Sequence, residues 1–129
     1  MRLWIVAALV LPLGACVSQR PPVDEASLGP APKNYRALAA NFMRTQFFDP
    51  YSVRDAQITV PFIGRVDGKP GWVVCTKQNA KNRLGGYTGI QASAVLFQNG
   101  VPVDSTGEAS VCANDPHGPW PEMMAVTGR

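Results

Sequence analysis

Asn99-Gly100 lies between apolar runs at 90–98 and 101–105, a setting that specifies a tight type I′ turn. Both residues tolerate positive φ, and the turn suits the right-handed twist of the strands it joins. This part of the chain is thereby committed to antiparallel β-structure. Upstream, residues 53–63 alternate, with Ala56, Ile58, Val60 and Phe62 on one face and Gln57, Thr59 and Pro61 on the other. Residues 64–71 are expected as a turn region and 72–78 as a second strand, carrying Cys75. Pro61 and Pro102 have no N–H to give to a ladder, so their strands belong at sheet edges. A meander in chain order puts its first and last strands there. Before the strands, Asn34 can cap a helix whose stripe is Tyr35, Leu38, Ala39, Phe42, Met43 and Phe47. Asp49-Pro50 ends it, because the residue before proline is pushed out of the α region. The expected fold is α+β: one N-terminal helix packed on a roughly four-stranded antiparallel β-meander.

The first sixteen residues, MRLWIVAALVLPLGAC, place one cation, Arg2, before an apolar run that closes on small residues. That is the layout of a secretory signal, too short for a membrane-spanning helix of about 20 apolar residues. Leu13-Gly14-Ala15-Cys16 resembles the lipobox of bacterial lipoproteins. The resemblance implies cleavage before Cys16 and lipid on its thiol, with the membrane as a partner held through several acyl chains. Val17 stands where an aspartate would favour inner-membrane retention, so the resemblance implies the periplasmic face of the outer membrane.

The chain then divides into a signal peptide (1–15), a lipidated cysteine and proline-rich tether (16–32), a small α+β domain (33–115) and a C-terminal tail (116–129). In that tail Trp120 either tucks against the domain or frays with the end. Loss of Arg2 brings the formal charge one below the +3 of the whole chain, too slight a balance to imply nucleic acid as a partner. Cys75 and Cys112 are an even pair in a small domain expected in an oxidising compartment, which predicts a disulfide. With one distant histidine, two cysteines supply too few soft ligands for zinc, and neither metal nor cofactor is expected.

Chemistry has few candidates. The segment 79–89, NAKNRLGGYTG, holds three glycines that permit positive φ and two asparagines, Asn79 and Asn82, that can bond back to nearby backbone. Lys77, Lys81 and Arg83 crowd its entrance, and no acid occurs between Lys69 and Asp104. Two readings stand: a self-bonded loop that fixes strand register, or a recognition loop that meets an envelope protein or an anionic glycan. In the second, the binding residues are Lys77, Asn79, Lys81, Asn82, Arg83, Gly85, Gly86 and Tyr87. No GxxxxGK[ST] or GxGxxG phosphate motif and no GxSxG context occurs, and His117, the one histidine, has no serine partner. Asp49 reads as a turn former before Pro50 rather than half of a catalytic pair with Asp55. No catalytic residue is expected.

Asp49-Pro50-Tyr51-Ser52, Val74-Cys75 and the 79–89 loop together resemble a recurrent domain of small exported proteobacterial proteins. In that domain a DPxS turn follows a helix, and a cysteine strand runs into NAKNxxGGYxG. The resemblance covers about residues 38–103 and implies a fold unit without implying an activity. Val53, Arg54 and Asp55 depart from it, since a phenylalanine or tyrosine often follows DPxS there. The function expected is a non-enzymatic envelope interaction or accessory module on a lipid anchor. The alternatives are a periplasmic inhibitor of a cell-wall hydrolase and, less favoured, a wall-active hydrolase.

Overall fold

A computed structural model describes residues 22–107, 110–112 and 114–124. Helix α1, Tyr35–Arg44, buries Ala39, Ala40 and Met43, with Tyr35, Leu38 and Phe42 packed beside them. It is not the N-terminal element: a 3-10 turn, Glu25–Leu28, precedes it, with the Asp24 carboxylate accepting from the Ala26 N–H. Asn34 makes no side-chain cap. The helix also stops short of Asp49-Pro50. Thr45 turns its hydroxyl back to the Phe42 carbonyl at 2.7 Å, and its own N–H bonds the same oxygen. A β-branched residue with a local hydrogen bond competes with continued helix. Phe47 therefore lies beyond the helix, though it still packs on its core.

The sheet has six antiparallel strands rather than four: β1 Arg54–Ile58, β2 Phe62–Val66, β3 Lys69–Asn79, β4 Gln91–Gln98, β5 Val101–Gly107 and β6 Gly118–Pro119. The order is β5-β4-β3-β1-β6, with β2 also pairing β3. The strand expected over 53–63 is broken in two, and both halves lie along the same edge of β3. Ile58 pairs with Thr76 and Phe62 with Val73. Between them Pro61 has no N–H to give. The Thr59 hydroxyl fills part of the gap, accepting from the Cys75 N–H at 2.9 Å. The break shifts the alternation: Thr59 is buried, Val60 is 69% exposed, and Phe62 packs on the opposite face from Ile58.

The turn expected over 64–71 narrows to two residues. Asp67 and Gly68 take φ of 49° and 80°, and β2 and β3 pair right up to them. Asn99 and Gly100, at 52° and 79°, close the β4–β5 hairpin. Pro102 lies in β5, which occupies one edge of the sheet.

The sixth strand comes from the segment set apart as a tail. Gly118–Pro119 pairs with Gln57 and Ile58, and helix α2, Pro121–Met124, follows. Trp120 between them is fully buried. Its N–H bonds the Ala56 carbonyl at 2.9 Å, and its indole N–H donates to the Arg36 carbonyl at 3.0 Å. Arg36 grips both Glu122 carboxylate oxygens, at 2.7 and 2.9 Å, and Arg44 reaches the Glu122 carbonyl. These contacts seat α2 against α1.

Alternation along β3 sends side chains to two cores. Val74 joins Ile58, Val95, Phe97, Trp120 and Met123 under α1. Val73 and Cys75 join Val66, Ala94 and Leu96 on the other face, covered by Phe62 and Val111. Cys75 and Cys112 are disulfide-bonded with their α-carbons 5.7 Å apart, pinning the 110–112 turn to that face. No described helix is long and apolar enough to cross a membrane.

Candidate functional site

The 79–89 loop leaves the end of β3 and returns to β4. Its shape is set by its own carboxamides. Asn82 Oδ1 accepts from the N–H groups of Leu84 and Gly86, at 2.9 and 3.2 Å. The Asn82 backbone closes the same turn, with its N–H on the Gly86 carbonyl and its carbonyl receiving the Gly85 N–H. Asn79 Oδ1 accepts from Gly89 at 3.2 Å, and Lys81 and Tyr87 form a single antiparallel bridge across the neck. Gly85 and Gly89 have φ of 78° and 95°, where only glycine is comfortable. Gly86 does not, and a Cβ built there meets nothing closer than Asn82 Oδ1 at 4.0 Å.

A second element holds the loop from below. Pro50–Ser52 is a 3-10 turn capped by Asp49, whose carboxylate accepts from the Tyr51 N–H at 3.1 Å. Asp49 therefore acts as a turn former. Ser52 donates its hydroxyl to the Asp49 carbonyl at 2.7 Å and accepts from the Lys81 N–H at 2.8 Å. The Ser52 carbonyl takes the Tyr87 hydroxyl at 2.9 Å. The turn after α1 and the 79–89 loop are thus bonded to each other through one serine.

Around this braced backbone lie cations and apolar groups. The Arg54 guanidinium stacks 3.6 Å from the Tyr87 ring centroid, with Lys81 Nζ 5.5 Å from the same ring. Arg83 lies 5.5 Å from the Phe48 ring. Leu84 is 94% exposed at the tip, and Phe48 and Tyr51 are more than half exposed. Arg54, Ser52 and Phe48 were not legible as part of this site, because they approach it from another stretch of the chain.

Lys77 does not join this group. It follows Val73 and Cys75 along β3 and lies near His117, whose pKa is held below the ordinary value by burial and by the Lys77 charge. His117 Nδ1 sits 2.9 Å from the Asp115 carbonyl, and Nε2 is buried with no partner. The Asp115 charge opposes that lowering in part.

Between the loop and the chain leaving α1 lies a small cleft of about 160 Å³, lined by Gln46, Phe48, Gln78, Lys81, Thr88 and Gln91 among others. A larger hollow of about 520 Å³ lies elsewhere, between residues 27–34 and the Asn99-Gly100 turn. Its lining of Leu28, Pro30, Pro32 and Leu38 includes one cation, Lys33, and no acid–base pair. Among the described residues no group of three His, Cys, Asp or Glu side chains could hold a metal. Cys16 and the segment expected as a signal peptide lie outside the described residues. Comparison with protein-family models, with curated proteins and with solved structures finds no match to this chain.

Proposed function

We propose that this chain is a lipid-anchored, periplasm-facing lipoprotein of the outer membrane, and that its domain is a non-enzymatic interaction module that binds through the 79–89 loop. The anchor rests on the Leu13-Gly14-Ala15-Cys16 box behind its apolar run. The likeness to small exported proteobacterial domains supports the same compartment. One observation carries the binding reading: the loop is braced by its own carboxamides and by Ser52, and it presents exposed Leu84 and Arg83 beside the exposed Phe48 ring. A loop fixed in advance loses little conformational entropy on binding. Exposed aromatic and arginine side chains are those enriched where interfaces concentrate their energy.

A second reading has one observation in its favour. Leu84, bare at the tip of a braced loop, has the form of a residue that enters an enzyme's cleft, as an inhibitor of a cell-wall hydrolase would need.

The test is in-cell photo-crosslinking from position 84. Crosslinks to envelope proteins or wall glycan support the interaction module, and capture of one hydrolase selects the inhibitor. Absence of any crosslink from position 84, with normal crosslinking from a control site on the lipoprotein, refutes both.

A further inference from the structure

The cleft beside the loop has an unusual lining. Gln46, Gln78, Asn82 and Gln91 line it with Thr88 and Lys81, and the Gln46 Nε2 also donates to the Thr45 hydroxyl at 3.2 Å. Phe48 lies along one side, 64% exposed, with Arg83 over its ring. Gln78 forms the floor. It is only 1% exposed, and its Oε1 is buried without a hydrogen-bond partner. It stands on β3 two residues before Ala80, which lines the same cleft, and on the face of the sheet that α1 covers.

A buried carboxamide oxygen left unpaired costs about 1–3 kcal/mol. Such a group is kept where something else satisfies it. A ring hydroxyl suits this floor because it can donate or accept, and so answers whichever end of the amide faces it. Drug-sized ligands occupy clefts of about 300–1,000 Å³, so one of about 160 Å³ holds a single ring.

We propose that this cleft binds one pyranose ring bearing a carboxylate, as part of an anionic glycan. Carboxamides and a threonine match hydroxyls that both donate and accept, Phe48 matches the apolar C–H face of the ring, and Lys81, the one cation in the lining, matches the carboxylate. No acidic side chain lines the cleft to oppose it. The inference rests on the binding role given to the loop and names its ligand.

The experiment titrates the full-length protein, purified in detergent, with glucuronic acid and N-acetylmuramic acid, and with glucose and N-acetylglucosamine as neutral counterparts. The backbone amide shifts of residues 78–91 are followed by NMR. Both acids should bind about tenfold more tightly than the neutral sugars, the effect of one charge-assisted hydrogen bond. Lys81→Ser and Phe48→Ala should each weaken acid binding about tenfold, with Lys77→Ser unchanged. Gln78→Leu should also weaken it; should that buried change unfold the domain, the exposed Phe48→Ala carries the same test. Binding of muramic acid alone points to wall glycan and of glucuronic acid alone to surface polysaccharide, and either supports the site. Equal binding of acid and neutral sugars, or no shift with any of the four, overturns it. Persistent protein crosslinks from position 84 in that case would leave the interaction module standing while removing the glycan.

Discussion

One carboxamide, Asn82, holds two N–H groups of its own loop, and Gly85 beside it sits at φ 78°. Gly85→Val forces a β-branched residue into the left-handed region and is expected to cost about 1–2 kcal/mol or more. Gly86→Ala, at ordinary φ with open space around it, should stay within about 0.5 kcal/mol of the parent. Urea unfolding of the two variants separates them. The sequence marks all three glycines of the loop alike; only the hydrogen-bond pattern tells which two need positive φ. At His117, burial and then Lys77 disfavour the charged ring, so its folded pKa lies below its ordinary value. The unfolded chain then takes up the proton first. This contribution is fully present above about pH 6.5 and is lost as pH falls from there through the lowered folded value. Unfolding midpoints measured from pH 8 to 5 should fall in the parent, and His117→Asn should flatten that part of the curve.

Among the elements, the hairpin at Asn99-Gly100 and the helix stripe were legible because a two-residue turn and a regular period are local properties. Asp67-Gly68 carries the same turn chemistry in its sequence, yet the nearby Gly64 and Gly71 blur it into a longer loop. The break at 59–61 was hidden for a different reason. Asp55 at φ 55° starts a register shift, and the Thr59 hydroxyl replaces a backbone acceptor, and neither changes the apolar pattern. The C-terminal elements were hidden because Trp120 sits alone among prolines and its partners, Ala56 and Arg36, are far away in the chain. Trp120→Ala is expected to cost about 3–5 kcal/mol, read by chemical unfolding, because it empties the junction of α1, α2 and β1. The Cys75–Cys112 bridge closes a separation of 37 residues, for which the chain-entropy relation gives about 4 kcal/mol. Replacing both cysteines with serine should lower stability by about 2–4 kcal/mol, with the 110–112 turn exchanging its amide protons faster than β3.

For the whole molecule, the site is a meeting of distant stretches: the 3-10 turn at 50–52 braces a loop thirty residues on, and Arg54 and Phe48 complete its surface. The sequence offered the loop and its lysines, and placed Lys77 with them; strand alternation sends Lys77 elsewhere and no linear pattern supplies Arg54. The proposed anchor makes its own prediction. Cys16→Ser should leave the protein unprocessed or release it from membranes, and an inhibitor of the lipoprotein signal peptidase should cause a larger precursor to accumulate. Fractionation and intact mass report both, and normal maturation and retention of the serine variant would remove the anchor. The binding role is tested most directly by the photo-crosslinking yield from position 84 in a Lys81→Ser, Arg83→Ser double variant. Arg83 is exposed, Lys81 is half-buried, and neither belongs to a core cluster, so unfolding stability should hold within about 0.5 kcal/mol. The crosslinked partner should be lost from the double variant, and in the parent its capture should weaken as salt rises. Undiminished crosslinking at every salt concentration would contradict recognition through Lys81 and Arg83, and absence of any crosslink in the parent would leave the loop the sole task of holding β3 and β4 in register.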